Sequence, residues 1–304
     1  MLMILVALVP AFMWGNQGII SGKLGGTPAK QTLGITYGAV IFSVVLALVN
    51  PIKIPMAVWW VGIAAGACWT WGNFQQFTAL RDMGVSKAYP MSCAMQLIVN
   101  AAVAALFFHE WDTGQKVIFG VVAVVLVGAG GLLVSFRDAK VRGPEKSGST
   151  AAGWRALILS TIGFGIYSTI PKFYQHAQLG HVNADTLQTQ MSWGVVLPEA
   201  IGMVIAGLLC VRFVAKETGG YKDKYTLKNI LTGLAWALGN LCMLIASMSA
   251  LGLATAYTLS QMSSAVAAVG GVWLMHESKT HREKWGMVVG VILVIFGGYL
   301  ISQV

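Results

Sequence analysis

FRDAKVRGPEKSGSTAAGWR, residues 136–155, interrupts a hydrophobic chain near its middle, and comparing the residues on its two sides decides the fold. The segment combines charge with Gly, Pro and Ser, the composition of a linker. The rest of the chain is different: 56% of the 304 residues are hydrophobic and 10% charged, against roughly 25% charged in soluble domains. Apolar runs of about 17–25 residues, long enough to cross a bilayer, lie near 2–22, 31–49, 56–79, 88–108 and 116–135 before the segment. Others lie near 154–173, 186–211, 229–249, 254–275 and 285–302 after it. The expected fold class is an all-α integral membrane protein with ten transmembrane helices, five on each side of the linker. The eighth and ninth runs are divided at Gly252, because no charge falls between Lys228 and His276 and a single span of that length is impossible. The first run lacks a basic start and a small-x-small cleavage site and contains Pro10, Asn16 and Gln17, so it reads as a helix and not a signal peptide.

The two halves repeat one another. Trp69-x-x-Gly72-Asn73 returns as Trp236-x-x-Gly239-Asn240, His109-Glu110 as His276-Glu277 and Gly130-Gly131 as Gly297-Gly298, each 167 positions on. Gly84 and Tyr89 return as Gly252 and Tyr257 at 168. A near-constant offset over this length marks an internal duplication. An odd number of helices per copy makes the second copy enter the membrane from the opposite side, so the copies are inverted repeats: residues 1–141 and 154–304, joined by a polar linker at 142–153. Secondary transporters built this way bind substrate near the midplane, between the copies.

The net charge of +9 is a topology signal. Loops after odd-numbered helices hold 17 of the 20 Lys and Arg residues, and loops after even-numbered helices hold Lys53, Lys116 and Lys172. The first set is therefore cytoplasmic and both termini face outside. Anionic lipid is a secondary partner of these basic loops, and nucleic acid is not expected. The four cysteines, Cys68, Cys93, Cys210 and Cys242, fall inside spans without a C-x-x-C pair, which argues against a disulfide frame or a zinc site. His109, Glu110 and Asp112 read as interfacial anchors in preference to metal ligands. No metal, cofactor or catalytic group is expected, since the spans offer no nucleophile–base pair and no Asp-rich pair.

Polar residues mark which helices line a site. The fifth and tenth runs, VIFGVVAVVLVGAGGLLV and WGMVVGVILVIFGGYLI, have almost none and read as peripheral. Trp69, Asn73 and Gln76 fall at i, i+4, i+7, and Tyr89, Cys93, Gln96 and Asn100 continue that spacing on the next helix, each set forming one stripe. Trp236 and Asn240, then Tyr257, Gln261 and Ser264, repeat the stripes in the second half. Trp14, Asn16 and Gln17 of the first helix, Tyr167 of the sixth, and Gln190 and Trp193 of the seventh complete the set. These groups are costly against hydrocarbon and should face a shared interior. Any one amide can serve only to hold helices together, yet Gly18/Gly22, Gly34/Gly38, Gly62/Gly66 and Gly286/Gly290 already supply packing motifs. Amides offer donor and acceptor together, and an indole face covers the apolar face of a sugar ring, so an uncharged polyhydroxy solute suits the set. Glu199, after Pro198, is the single acid near a span centre and the candidate for proton coupling.

With these residues in hand, the chain resembles the bacterial glucose/ribose porter family, the sugar-uptake branch of the drug/metabolite transporter superfamily. The resemblance runs through LVPAFMWG (8–15), GKLGG (22–26), QTLGITYGAVIFS (31–43), GVSKAYPMSCAMQL (84–97), FHEW (108–111), LTGLAWALGN (231–240) and TAYTLSQM (255–262). It implies the drug/metabolite transporter fold, alternating access, and inward transport of a monosaccharide, glucose before ribose, in symport with protons. The expected setting is the bacterial plasma membrane, in a monomer or weak homo-oligomer. Carried over by motif, Trp14, Lys23, Gln96, Asn240 and Gln261 become substrate-binding positions. The rival reading on the same fold is an exporter of amino acids, amines or other metabolites.

Overall fold

The computed structural model describes residues 2–83, 85–134, 136, 138, 147–274 and 280–301. The linker interior at 142–146 and the His276-Glu277 pair lie outside the described residues. Eleven helical segments carry the fold: α1 Leu2–Leu24, α2 Pro28–Val49, α3 Met56–Met83, α4 Val85–Phe107, α5 Gly114–Val134, α6 Ser147–Gln178, α7 Ala184–Val214, α8 Ile230–Met248, α9 Gly252–Ser260, α10 Ser263–Leu274 and α11 His281–Ile301. Eight of them, all but α3, α9 and α10, are long and apolar enough to cross a membrane among the described residues. The chain is thus an all-helical, multi-pass membrane protein.

Local chemistry sets several boundaries. Thr27 caps α2, its hydroxyl accepting from the Lys30 N–H at 3.3 Å, with Pro28 in the first turn where a missing N–H costs nothing. Helix α7 contains π-helical turns at Gln190–Gly194 and Cys210–Val214. The first lies just before Pro198, which cannot donate to the helical ladder. Between α9 and α10 the ladder tightens: the Gln261 N–H reaches both Tyr257 O and Thr258 O, at 3.1 and 3.2 Å, and Met262 N bonds Leu259 O at 3.1 Å.

The halves interlock. Helix α3 packs chiefly on α6 and α7 of the second half, and α8 on α1 and α2 of the first. Glycines allow these approaches. A Cβ at Gly66 would meet the backbone of Glu199 and Met203 in α7, and one at Gly233, 167 positions on, would meet Ile35 and Gly38 in α2. Gly72 faces Phe164 of α6, while its counterpart Gly239 faces Trp14 of α1. Gly130 of α5 abuts Gly290 and Val294 of α11, and Gly297 abuts Ala123 and Val127. Residues 167 apart therefore make reciprocal contacts in three helix pairs. The outward faces of α5 and α11 are apolar and exposed, among them Ile118, Val125, Ile292 and Phe296, as suits helices at the periphery of a membrane protein.

Candidate functional site

Between the halves lies a small cavity with about 40 Å³ of free space. Its floor is an indole pair, one ring from each half: Trp69 and Trp236 meet with centroids 4.3 Å apart and planes inclined at 50°. Phe164 stands edge-on to Trp69 at 6.3 Å. Trp14 closes another side, its indole N–H 3.4 Å from Trp236 O and its own carbonyl accepting from the Tyr89 hydroxyl at 3.0 Å. All lining residues except Trp14 are buried.

The polar wall is tied together across helices. Gln76 and Gln96 both donate to the Ser92 hydroxyl, at 2.8 and 2.9 Å, and the Tyr257 hydroxyl donates to Gln96 Oε1 at 2.9 Å. Behind them Asn100 accepts from Ser168 of α6. Gln17 Nε2 donates to Asn73 Oδ1 at 3.3 Å, and Asn73 Nδ2 donates to the Thr32 hydroxyl at 3.0 Å. Gln261 presents its buried amide to the cavity with no protein hydrogen-bond partner among the described residues. No lining residue carries a charge at neutral pH, and no metal-binding group of His, Cys, Asp and Glu occurs among the described residues.

The second half builds a matching chain. The Tyr167 hydroxyl donates to Asn240 Oδ1 at 2.5 Å, and Asn240 Nδ2 donates to Glu199 Oε1 at 3.0 Å. Asn240 stands 167 residues after Asn73, and Glu199 stands 167 after Thr32. The two halves thus use one hydrogen-bond pattern, with a carboxyl group in the second where the first has a hydroxyl. Glu199 is 1% exposed and its Oε2 has no hydrogen-bond partner among the described residues.

Ten of the fifteen residues singled out for substrate line this one cavity: Trp14, Gln17, Trp69, Asn73, Gln76, Gln96, Tyr167, Trp236, Tyr257 and Gln261. Asn240 sits one bond behind, through Tyr167. Four lie elsewhere. Asn16 turns back to donate to Phe12 O at 2.8 Å, and Lys23 is exposed at the end of α1. Gln190 belongs to the π-helical turn, and Trp193 packs against an apolar cluster that contains Val58, Leu187, Met191 and Leu241. Tyr89, Cys93, Phe164 and Ser263 join the lining. Tyr89 and Cys93 stand on the polar stripe of α4. Ser263 takes the place that ideal periodicity gives Ser264, because the α9–α10 break shifts the register.

At one end of the bundle, Lys30 pairs with Asp223 at 3.2 Å and the Tyr37 hydroxyl donates to Tyr221 O at 3.3 Å. The Tyr225 N–H and then Lys30 hold the Asp223 carboxyl below the usual carboxylate range. At the other end, Glu110 pairs with Lys172 at 3.6 Å.

The profile of a family described as sugar transport protein matches residues 5–304. The chain is 39% identical over 304 residues to a Lactiplantibacillus plantarum protein named "Putative sugar uptake protein", with 98% of each covered. It is 34% identical over 300 residues to a Bacillus anthracis protein named "Probable glucose uptake protein GlcU", again with 98% of each covered. One solved crystal structure shares the fold, with a TM-score of 0.69 and 14% identity over 98% of this chain and 95% of the other.

Proposed function

The chain belongs to the sugar transport protein family, so it is a membrane transporter and not an enzyme, and on that premise we propose that it takes up a monosaccharide, glucose first and ribose second, through the cavity between its halves. The observation that carries this reading is the cavity itself: a neutral, amide- and hydroxyl-lined chamber floored by Trp69 and Trp236. A pyranose has an apolar face for an indole and a rim of hydroxyls for amides that both donate and accept. A lipophilic cation would want a carboxylate in the wall, and an anionic solute would want Lys or Arg. The relatives named for glucose uptake support the choice of sugar.

The transport cycle we propose is alternating access between two inverted repeats, 1–141 and 154–304, linked at 142–153. Helix α3 and the broken pair α9–α10 bring the eight apolar spans to ten. The reciprocal contacts at an offset of 167 support the duplication, and the basic loops support outward-facing termini in a bacterial plasma membrane. Protons are the proposed co-substrate. Glu199 is the carboxyl buried beside the cavity, and Tyr167 and Asn240 connect it to the wall. A proton on its unpartnered Oε2 would remove the cost of a buried charge, and sugar in contact with Tyr167 would alter the same chain.

The test is uptake of labelled glucose and ribose into proteoliposomes under an imposed proton gradient. Wild type should accumulate sugar above equilibrium, while Glu199→Gln should lose accumulation and keep sugar–sugar exchange. Full accumulation by Glu199→Gln would refute the coupling role. Uptake competed by amines or amino acids, and unaffected by sugars, would favour the exporter reading.

A further inference from the structure

We infer that Glu110 is a gate-positioning residue: its carboxylate locks the α8–α9 corner, holds Tyr257 and Gln261 over the cavity, and must release for the site to open on that side. Glu110 comes directly after His109, whose φ of 51° turns the chain sharply after α4. Its Oε1 accepts from Leu253 N and its Oε2 from Ala254 N, both at 2.8 Å, so one side chain of the first half satisfies two orphan amides at the start of α9. Lys172 of α6 reaches Oε1 at 3.6 Å and donates to Ser247 O at the end of α8 at 3.0 Å, while Gln175 donates to Met248 O at 3.1 Å. Gly252 makes the approach possible, with φ at +79° and a would-be Cβ only 2.8 Å from Glu110 Oε2.

The lever behind this contact is short. Helix α9 runs from Gly252 to Ser260 and ends at the tightened turn around Gln261. Glu110 therefore holds one end, and the two cavity residues Tyr257 and Gln261 lie at the other. Above the corner is a second cavity of about 210 Å³, lined by Glu110, Trp111, Leu251 and Thr255 among others, through which solute could approach. The opposite end of the bundle has its own tie, Lys30 to Asp223. Alternating access needs one end to part while the other stays closed, and Glu110 supplies the tie at the end that the basic loops assign to the outside.

The inference rests on the alternating-access reading, and the Cys93 thiol, which lines the cavity, tests the two separately. In the full chain with Cys68, Cys210 and Cys242 replaced by alanine, Cys93 is labelled by a charged, membrane-impermeant methanethiosulfonate from outside intact cells or from inside inverted vesicles. Glucose protection of Cys93 without further substitution tests the cavity. For the gate, Glu110→Gln should raise outer-face labelling roughly tenfold or more, the population change given by about 1.4 kcal/mol. Gly252→Ala, which drives the carboxylate away from the other side of the contact, should do the same. Lys30→Met should raise labelling from the inner face alone. Unchanged outer-face labelling in Glu110→Gln and Gly252→Ala, whatever their melting in detergent, would reduce Glu110 to a structural cap and overturn the inference. A rise confined to the inner face, or an outer-face rise as large in Lys30→Met, would overturn it too.

Discussion

The two asparagines related by 167 positions should not be equally costly to lose. Asn240→Ala removes the bonds to Tyr167 and Glu199, and Asn73→Ala removes those to Gln17 and Thr32. Interhelical hydrogen bonds within a bilayer contribute about 0.6 kcal/mol on average and up to about 1.7, so each substitution loses about 1–3 kcal/mol from bonds alone. The groups left behind decide the difference. Thr32 can turn its hydroxyl to a carbonyl of its own helix, and Gln17 already borders the cavity. Glu199 has no such recourse: its Oε2 is unpartnered, and the substitution strands Oε1 as well. An unsatisfied buried group of this kind costs a further ~1–3 kcal/mol. Asn240→Ala should therefore be the worse by about 2 kcal/mol, which is a melting difference of roughly 4 °C at about 2 °C per kcal/mol. The assay is thermal unfolding of both variants in one detergent, with the double variant Asn240→Ala/Glu199→Gln alongside. The double variant should lose less than the sum of its parts, as coupled neighbours do. Equal losses for the two asparagines, or strict additivity in the double variant, would refute the reasoning.

Gly66→Ala places a methyl group against the backbone of Glu199 and Met203 and should cost about 3 kcal/mol or more as α3 and α7 are forced apart. Gly128→Ala, with nothing within 4 Å of the new atom, is the control, and similar expression and melting of the two would contradict the packing described. At the basic end, Asp223 has its ionised form favoured by the Tyr225 N–H and by Lys30. Its pKa is lower folded than unfolded, so its contribution is complete above the unfolded value of about 3.9 and fades as pH falls through the lower folded value. The melting gap between wild type and Asp223→Ala should accordingly be open at neutral pH and narrow below about pH 4, and a gap that widens on acidification would reverse the sign.

How much of this is legible in the sequence differs from residue to residue. Trp69, Asn73, Trp236 and Tyr257 can be grouped because helical spacing puts each on a polar stripe and the offset puts each stripe in a matching helix. Their meeting in one chamber comes from the way α3 and α8 each cross into the opposite half. Asn16 and Gln17 look alike on paper, but adjacent helical residues point about 100° apart, and only Gln17 turns inward while Asn16 bonds its own helix. Gln190 and Trp193 enter the polar set through their residue types alone, and they stand in a π-helical turn away from the cavity lining. Ser263 escapes a periodic reading because a break in the ladder at Gln261 shifts the register. The correspondence of Thr32 with Glu199 lies in the offset and is plain in the sequence. It acquires meaning only when Asn73 and Asn240 are seen to bond the two residues in the same way. Glu110 reads as an interfacial anchor because nothing in the local sequence tells that α9 begins beside it.

The most direct test of the central claim is counterflow of labelled D-glucose in liposomes holding the purified protein, with no ion gradient, comparing wild type with Trp236→Ala. Sugar-loaded vesicles with the wild-type protein should take up label transiently, and Trp236→Ala, which removes half of the indole floor, should slow that uptake sharply while the protein remains folded. Counterflow that is absent in folded wild type for both glucose and ribose, or that is unchanged by Trp236→Ala, would contradict the account.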